Sequence, residues 1–475
     1  MKLKQALFTI FSTVVITFSL APHVIASSDS PAEKKFNPLS LLKMVEFSGP
    51  EAKGFHDCFW IGPVSFESYN MAYPDEGAVY WATRFQMPKD SSHLEIEGNY
   101  PNVRYFSFIT YDKRTQPIDA LIDAEIVPVT GANPFAQADK SGGKYKIKVM
   151  AAQAPVTDRP ANTLYLGEAA TRNTKLPLLL RHYVPAANSD FTGGAGIPKV
   201  SLVMNNGERL TGKAMCKAIN SPKPGSTNRT VPSVVMPEST YKKLINGADA
   251  PVGFPARREA QWNKFWGGRV TVSKLLTDRV YLERAIADSA AGKLPKQSGF
   301  YANLHNDYIS ASVNEAFGDL VVLRGKLPKT PARGWDITST DFDLRYWSLC
   351  TNESLVTTRY SDCVYDSNVV TDAERNYTIV VSKAKNRPAN ARAECGITWL
   401  DWGARGDGAG DTKQGKLILR NMSGDGFKHS VQNIRSINSA KNDMGPYYPA
   451  ATYYRKADFE ALGCNIPESR LASNQ

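Results

Sequence analysis

The chain predicts a mainly β protein: two duplicated, antiparallel β-sandwich (jelly-roll-like) lobes with an α-helical insertion between them. Three observations predict it. Short runs rich in β-branched and aromatic residues recur along the 475 residues, turn-forming dipeptides separate them, and one ordered set of runs occurs twice.

The first 26 residues read as an export signal. Lys2 and Lys4 form a basic start, Ala6 to Leu20 is apolar, and Val24-Ile25-Ala26 supplies small residues for cleavage. The apolar run is shorter than the roughly 20 residues that span a bilayer. The expectation is a periplasmic or secreted chain without a membrane span once cut near Ala26. Six cysteines, Cys58, Cys216, Cys350, Cys363, Cys395 and Cys464, fit that compartment as disulfides. Six allow 15 pairings. The spacing of Cys350, Cys363 and Cys395 points to a local bridge in the second half. No C-x-x-C pair occurs, so neither a metal site nor a cofactor is expected.

Removing Lys2 and Lys4 leaves 55 basic against 46 acidic side chains, a balance of +9. That excess is spread along the chain without a charged block, so nucleic acid is not an expected partner. A small molecule, a glycan or another protein is.

The first lobe is assigned to residues 27–215. Its runs "VYWATRFQM" and "YFSFIT" suit a half-buried pleated surface, and "YKIKV" from Tyr145 alternates apolar with charged. Asn133-Pro134, Gly142-Gly143 and Gly193-Gly194 mark turns. The helical insertion is assigned to 216–300, from "STYKKLINGA", "REAQWNKFW" and "DRVYLERAIADSAAGK". The second lobe is assigned to 301–435 and a Tyr-rich tail to 436–475.

Six blocks tie the lobes together. "RFQMPK" faces "RGKLPK", "RYFSF" faces "RYWSL", "YKIKV" faces "YTIVV", and "DRPAN" faces "NRPAN". "TLYLG" then faces "TWLDWG", and "KLPLLLRHY" faces "KLILRNM". Four arginines recur with them: Arg84 with Arg324, Arg104 with Arg345, Arg159 with Arg387, and Arg181 with Arg420. The second lobe, from "RYWSL" through "YTIVV" and "WLDWG" to "KLILR", resembles domains of unknown function in exported bacterial proteins. Their pattern runs aromatic-Trp-Ser-Leu, Tyr-x-Ile, Trp-Leu and Leu-x-Leu-Arg. The resemblance implies a β-sandwich, with the first lobe a diverged copy. It carries over no catalytic residue, and Cys350, Cys363 and Cys395 depart from it.

No G-x-S-x-G elbow, H-E-x-x-H, Walker loop or strand-borne G-x-G-x-x-G is present. A residue kept in both lobes serves the fold more naturally than a single site, so differences between copies carry more weight. These give His182 in "RHYVP", Tyr73 in "NMAYPD", and His305 with Asp307 in "NLHNDY" as acid/base candidates. Arg181 is a candidate anion fork, and Trp262 and Trp266 a candidate stacking surface. Glu353 with Asp362 is weighed as a carboxylate pair, and "RGDGAGD" as an adhesion or calcium loop against a plain hairpin loop. Two function classes follow: a ligand-binding or structural module, and an extracellular hydrolase of a sugar or ester with a site between the lobes.

Overall fold

In the computed structural model the described residues are 42–47, most of 58–221, 229–234, scattered positions from 238 to 264, and most of 301–466. Residues 1–26, read from sequence as an export signal, Trp266 and most of the helical insertion lie outside them; within the insertion Tyr241 and Lys242 are helical.

Strand β1 (Leu42–Phe47) belongs to neither lobe. The first lobe comprises β2 (Ile61–Val64), β3 (Ala78–Phe85), β4 (Ser91–Asn99), β5 (Val103–Tyr111), β6 (Pro117–Ile122), β7 (Pro128–Gly131), β8 (Gly143–Met150), β9 (Thr163–Tyr165), β10 (Leu176–Pro185), β11 (Lys199–Met204) and β12 (Arg209–Leu210), and closes on helix α1 (Gly212–Ala218). Strand β13 (Arg229–Val234) pairs with β1. The second lobe comprises β14 (Asn263–Lys264), β15 (Asn306–Asn314), β16 (Leu320–Lys326), β17 (Tyr346–Asn352), β18 (Tyr360–Tyr365), β19 (Asn376–Ser382), β20 (Ile397–Asp401) and β21 (Gln414–Met422), followed by α2 (Ala440–Met444), β22 (Ala450–Tyr454) and α3 (Lys456–Glu460).

The two lobes share one topology. A five-stranded sheet runs β2-β3-β10-β5-β6 in the first and β14-β15-β21-β17-β18 in the second. The facing sheet contains β11-β4-β8 with β9 added to β8, and the second lobe has β22-β16-β19-β20. One parallel pair breaks the antiparallel rule at the same place in each, β8 with β9 and β19 with β20. Apolar side chains from both sheets meet between the layers: Trp81, Phe106 and Leu180 against Leu94, Ile147 and Leu202 in one lobe, and Ile309, Leu349 and Leu419 against Val321, Ile379 and Val381 in the other. That is the arrangement of a sandwich.

The boundaries drawn from sequence move. Strand β14 falls inside 216–300 and β22 inside 436–475, yet both are strands of the second lobe. The Tyr-rich segment is therefore not a tail. Pairing with β22 satisfies the outer edge of β16, and Tyr454 and Phe459 bury against Val322 and Val380.

The cysteines pair as Cys58–Cys216, Cys350–Cys363 and Cys395–Cys464. Cys216 lies on α1 and Cys464 follows α3, so a cystine pins the closing helix of each lobe. Cys350–Cys363 crosslinks β17 to β18 where the first lobe has Ile109 opposite Ala120.

Candidate functional site

The residues at 38–475 form one compact unit, and the outer faces of the two five-stranded sheets meet inside it. Tyr105 and Tyr183 of the first lobe bury with Tyr346, Tyr365 and Met422 of the second. Tyr183 and Tyr346 pack edge to face at 5.1 Å between centroids. Approach is close enough that a side chain on Gly77 would collide with the Tyr346 ring.

Reciprocal contacts span this joint. Arg104 Nη1 donates to both carboxylate oxygens of Asp366 at 2.8 Å, and Arg345 donates to Asp123 at 2.8 and 2.9 Å. Both carboxylates also accept a backbone N–H within their own lobe, Asp123 from Phe106 at 2.8 Å and Asp366 from Trp347 at 3.0 Å. Arg345 further donates to the Arg104 carbonyl. Each lobe thus lends an arginine and a carboxylate to the other, as in an isologous dimer interface. The loops before β3 and β15 repeat the exchange. Arg420 donates to the Tyr73 carbonyl at 2.8 Å, and Arg181 donates to the Tyr301 carbonyl. Both tyrosines sit at positive φ, 55° and 49°. Tyr346 donates to Asp75 at 2.6 Å, and Tyr105 donates to Asn303 at 3.1 Å.

The residues proposed from sequence therefore separate. His182 lies in the first core, its ring 4.8 Å from Trp81, with Nδ1–H donating to the Phe191 carbonyl at 3.1 Å. Burial drives its pKa down to about 4, so the imidazole is neutral at physiological pH. Asp307 is buried in the second lobe and paired with Lys264 at 2.9 Å, while the ring of His305 lies near Tyr105, 6.3 Å between centroids. Burial holds the Tyr73 hydroxyl well above its usual pKa. Arg181 takes part in the joint, with the Tyr80 and Tyr111 rings beneath it. Trp262 is core. Glu353 and Asp362 have separate partners: Arg405 holds Glu353 at 2.8 Å, and Asp362 accepts the N–H groups of Cys363 and Asp401. The Arg-Gly-Asp tripeptide leaves its arginine exposed against Glu353 but buries its acid, Asp407, which accepts the N–H groups of Ala409 and Asp411.

Two pairings between copies also change. Arg84 stands on β3 and Arg324 on β16, which are not equivalent strands. Their likeness reflects two strand exits ending in Pro-Lys. Arg104 with Arg345 and Arg181 with Arg420 hold, since Arg181 lies opposite Ser107 and Arg420 opposite Ser348. That register places Lys416 against Pro177, two positions from the Lys175 that the sequence pairs with it.

This correction exposes what differs. Ser312, Lys416 and Asn352 lie side by side on β15, β21 and β17, a polar row across one sheet. The first lobe has Arg84 opposite Pro177 in the same row, with Tyr111 at the place of Asn352. Lys416 is buried, and desolvation lowers its pKa to about 8. With Ser312, Ser354, Gly415, Leu355 and Tyr241 it lines a partly open cavity of ≈ 10 Å³, room for about one water. Leu355 and Tyr241 continue into an apolar cluster with Ile418 and Ala409. Sequence reasoning missed Lys416, although a charge opening the apolar strand "KLILR" was the available signal. It missed Asp123 and Asp366 too, which follow equivalent strands in "LIDAE" and "VYDSN".

Among the described residues the one grouping of metal-ligand types is Asp75, Cys350 and Cys363. The sulfurs are joined as a cystine, which is not a thiolate donor, and Arg420 Nη1 stands 2.9 Å from the Cys350 sulfur.

Neither a family model nor a curated protein matches the chain. Among solved structures it is similar to an uncharacterised protein of Burkholderia cenocepacia, at 13% identity and a TM-score of 0.40, over 78% of this chain and 80% of that one. It is also similar to a protein of Vibrio parahaemolyticus, at 12% identity and a TM-score of 0.34, over 80% and 89%. Likenesses this loose bring no functional residue across. Three disulfides fit an oxidising compartment, and no helix among the described residues is long and apolar enough to cross a membrane.

Proposed function

We propose that the chain is an exported ligand-binding module whose two lobes form a fixed frame and whose site lies on the outer face of the second lobe. The unshared row of Ser312, Lys416 and Asn352 carries this reading. It breaks a fold-wide likeness at the place where a buried cation and hydroxyls line a cavity. The joint between the lobes is filled by ion pairs and tyrosines and holds the frame together. A panel of sugars, carboxylates, lipids and divalent metals, read by thermal shift on the oxidised full-length chain, tests this. One ligand class should raise Tm in the parent protein and lose its effect in Lys416→Met; a shift equal in both proteins contradicts the reading.

A second reading, an extracellular ester hydrolase, draws on one observation. Ser312 faces a buried lysine of depressed pKa across adjacent strands, the residue types of a serine–lysine dyad. Turnover of a p-nitrophenyl ester that vanishes in Ser312→Ala would favour it, and absence of turnover removes it.

A further inference from the structure

The binding reading leaves the ligand unnamed, and the chemistry of the cavity narrows it. Its floor is a lysine side chain buried by the sheet, flanked by hydroxyls of Ser312 and Ser354. An ammonium and hydroxyl donors together receive an oxyanion. The space beside the lysine, ≈ 10 Å³, admits one oxygen, which a flat carboxylate presents with less bulk behind it than tetrahedral phosphate or sulfate. The charge beside the opening acts in the same direction. Tyr241 interacts with Asp407 and Asp411, which help raise its pKa, so a dianion meets repulsion that a monoanion meets less. The wall beyond the floor is apolar, formed by Leu355 and Tyr241 next to Ile418 and Val356. A ligand that satisfies both parts has one negative head and a short hydrocarbon body.

Resting on the binding reading above, we infer that this cavity takes a short-chain monocarboxylate, with its head on Lys416, Ser312 and Ser354 and its chain against Leu355 and Tyr241. Lys416 supplies the charge, so affinity belongs to the protonated amine. It should weaken as pH rises through about 8, where burial makes that amine give up its proton. The first lobe has Pro177 at the same register and Arg84 at the place of Ser312, a different set of groups, and one ligand per chain is expected.

The test is calorimetric titration of the oxidised full-length protein with butyrate, set beside acetate, butanol, inorganic phosphate and sulfate. Butyrate should bind once per chain, raise Tm by about 2 °C at roughly ten times its Kd, and bind more tightly than acetate. Butanol, phosphate and sulfate should give at least about tenfold weaker binding. Lys416→Met should abolish butyrate binding, and Ser354→Ala, a smaller change, should weaken it several-fold, which keeps the test alive if the lysine variant fails to fold. Butyrate binding unchanged in Ser354→Ala and Lys416→Met, or phosphate binding as tightly as butyrate, overturns the inference. If a sugar or lipid shifts Tm in a Lys416-dependent way while carboxylates do nothing, the ligand class is wrong and the binding module stands. If no class binds and ester turnover depends on Ser312, both fall together.

Discussion

The two lobes agree where they touch each other and differ where they face elsewhere. Arg104 and Arg345 occupy equivalent strand starts and make equivalent cross-lobe pairs, with Asp366 and Asp123. Four sheet positions away from Arg420 the likeness ends, with Lys416 in one copy and Pro177 in the other. A duplicated chain that keeps its lobes together must retain the residues of the joint in both copies, because each lobe's arginine serves the other's carboxylate. No such reciprocity constrains the stretch of that sheet face lying beyond the joint. Retention of Arg104 with Arg345 and of Arg181 with Arg420 therefore marks assembly, and divergence along the same sheet face marks the part free to acquire a ligand.

Breaking the joint should have the largest effect. Arg104→Ala leaves Asp366 buried without its cation, and Arg345→Ala does the same to Asp123, so each should cost about 3–5 kcal/mol in denaturant unfolding. Near-equal losses in the two variants are expected; a loss confined to one would mean that the joint is carried by one lobe's pair. Burying Lys416 costs stability in turn. Its pKa is about 8 in the folded chain against 10.5 for the free side chain. From about pH 8 to 10.5 the unfolded chain holds a proton that the folded chain lacks, so stability rises with pH across that window. Below it the full cost is present, and Lys416→Met should be more stable than the parent at pH 7 by up to about 3 kcal/mol. Urea midpoints at pH 7 and pH 10 for the two proteins check the sign: the gap between them should shrink at the higher pH.

A smaller contrast sharpens the comparison. Arg159 grips Asp119 with two bonds of 2.8 Å, whereas Arg387 donates to the Ala391 carbonyl and lies over Trp399. Asp362, which like Asp119 accepts a backbone N–H from the neighbouring sheet, lost its arginine, and burial raises its pKa. Arg159→Ala should cost about 1–2 kcal/mol and Arg387→Ala about half that. Smallest is Glu76, half-buried beside Asp75 and Asp362. Burial and then those carboxylates raise its pKa to about 7. The folded chain holds the proton that the unfolded chain releases between about pH 4.5 and 7, so stability falls across that window and the cost is complete above it. Glu76→Gln should gain up to about 1 kcal/mol at pH 8, after discount for solvent screening, and nothing at pH 4; thermal unfolding at the two pH values reads the difference.

The fold was largely legible because strands of one lobe write the same alternation and aromatic content as those of the other. "RYFSF" and "RYWSL" mark equivalent central strands whose arginines sit at the joint. What stayed hidden depends on register and on partners distant in the chain. Asp123 and Asp366 lie just past strand ends and meet arginines more than 220 residues away. Lys416 looks like a match for Lys175 until strand pairing shifts it by two. Strands β14 and β22 are short or preceded by helical sequence, and only the open edges they cover give them away. The histidines misled because a polar side chain in an apolar strand, as His182 is, satisfies itself with one backbone carbonyl.

On the proposed reading, the retained residues hold the frame and the diverged row meets the ligand. Titration of butyrate into the parent, Arg104→Lys and Lys416→Met proteins at pH 7 tests it most directly. Binding should persist in Arg104→Lys, at lowered stability, and vanish in Lys416→Met. Binding lost with Arg104 and kept without Lys416 would place the ligand at the joint and contradict the claim.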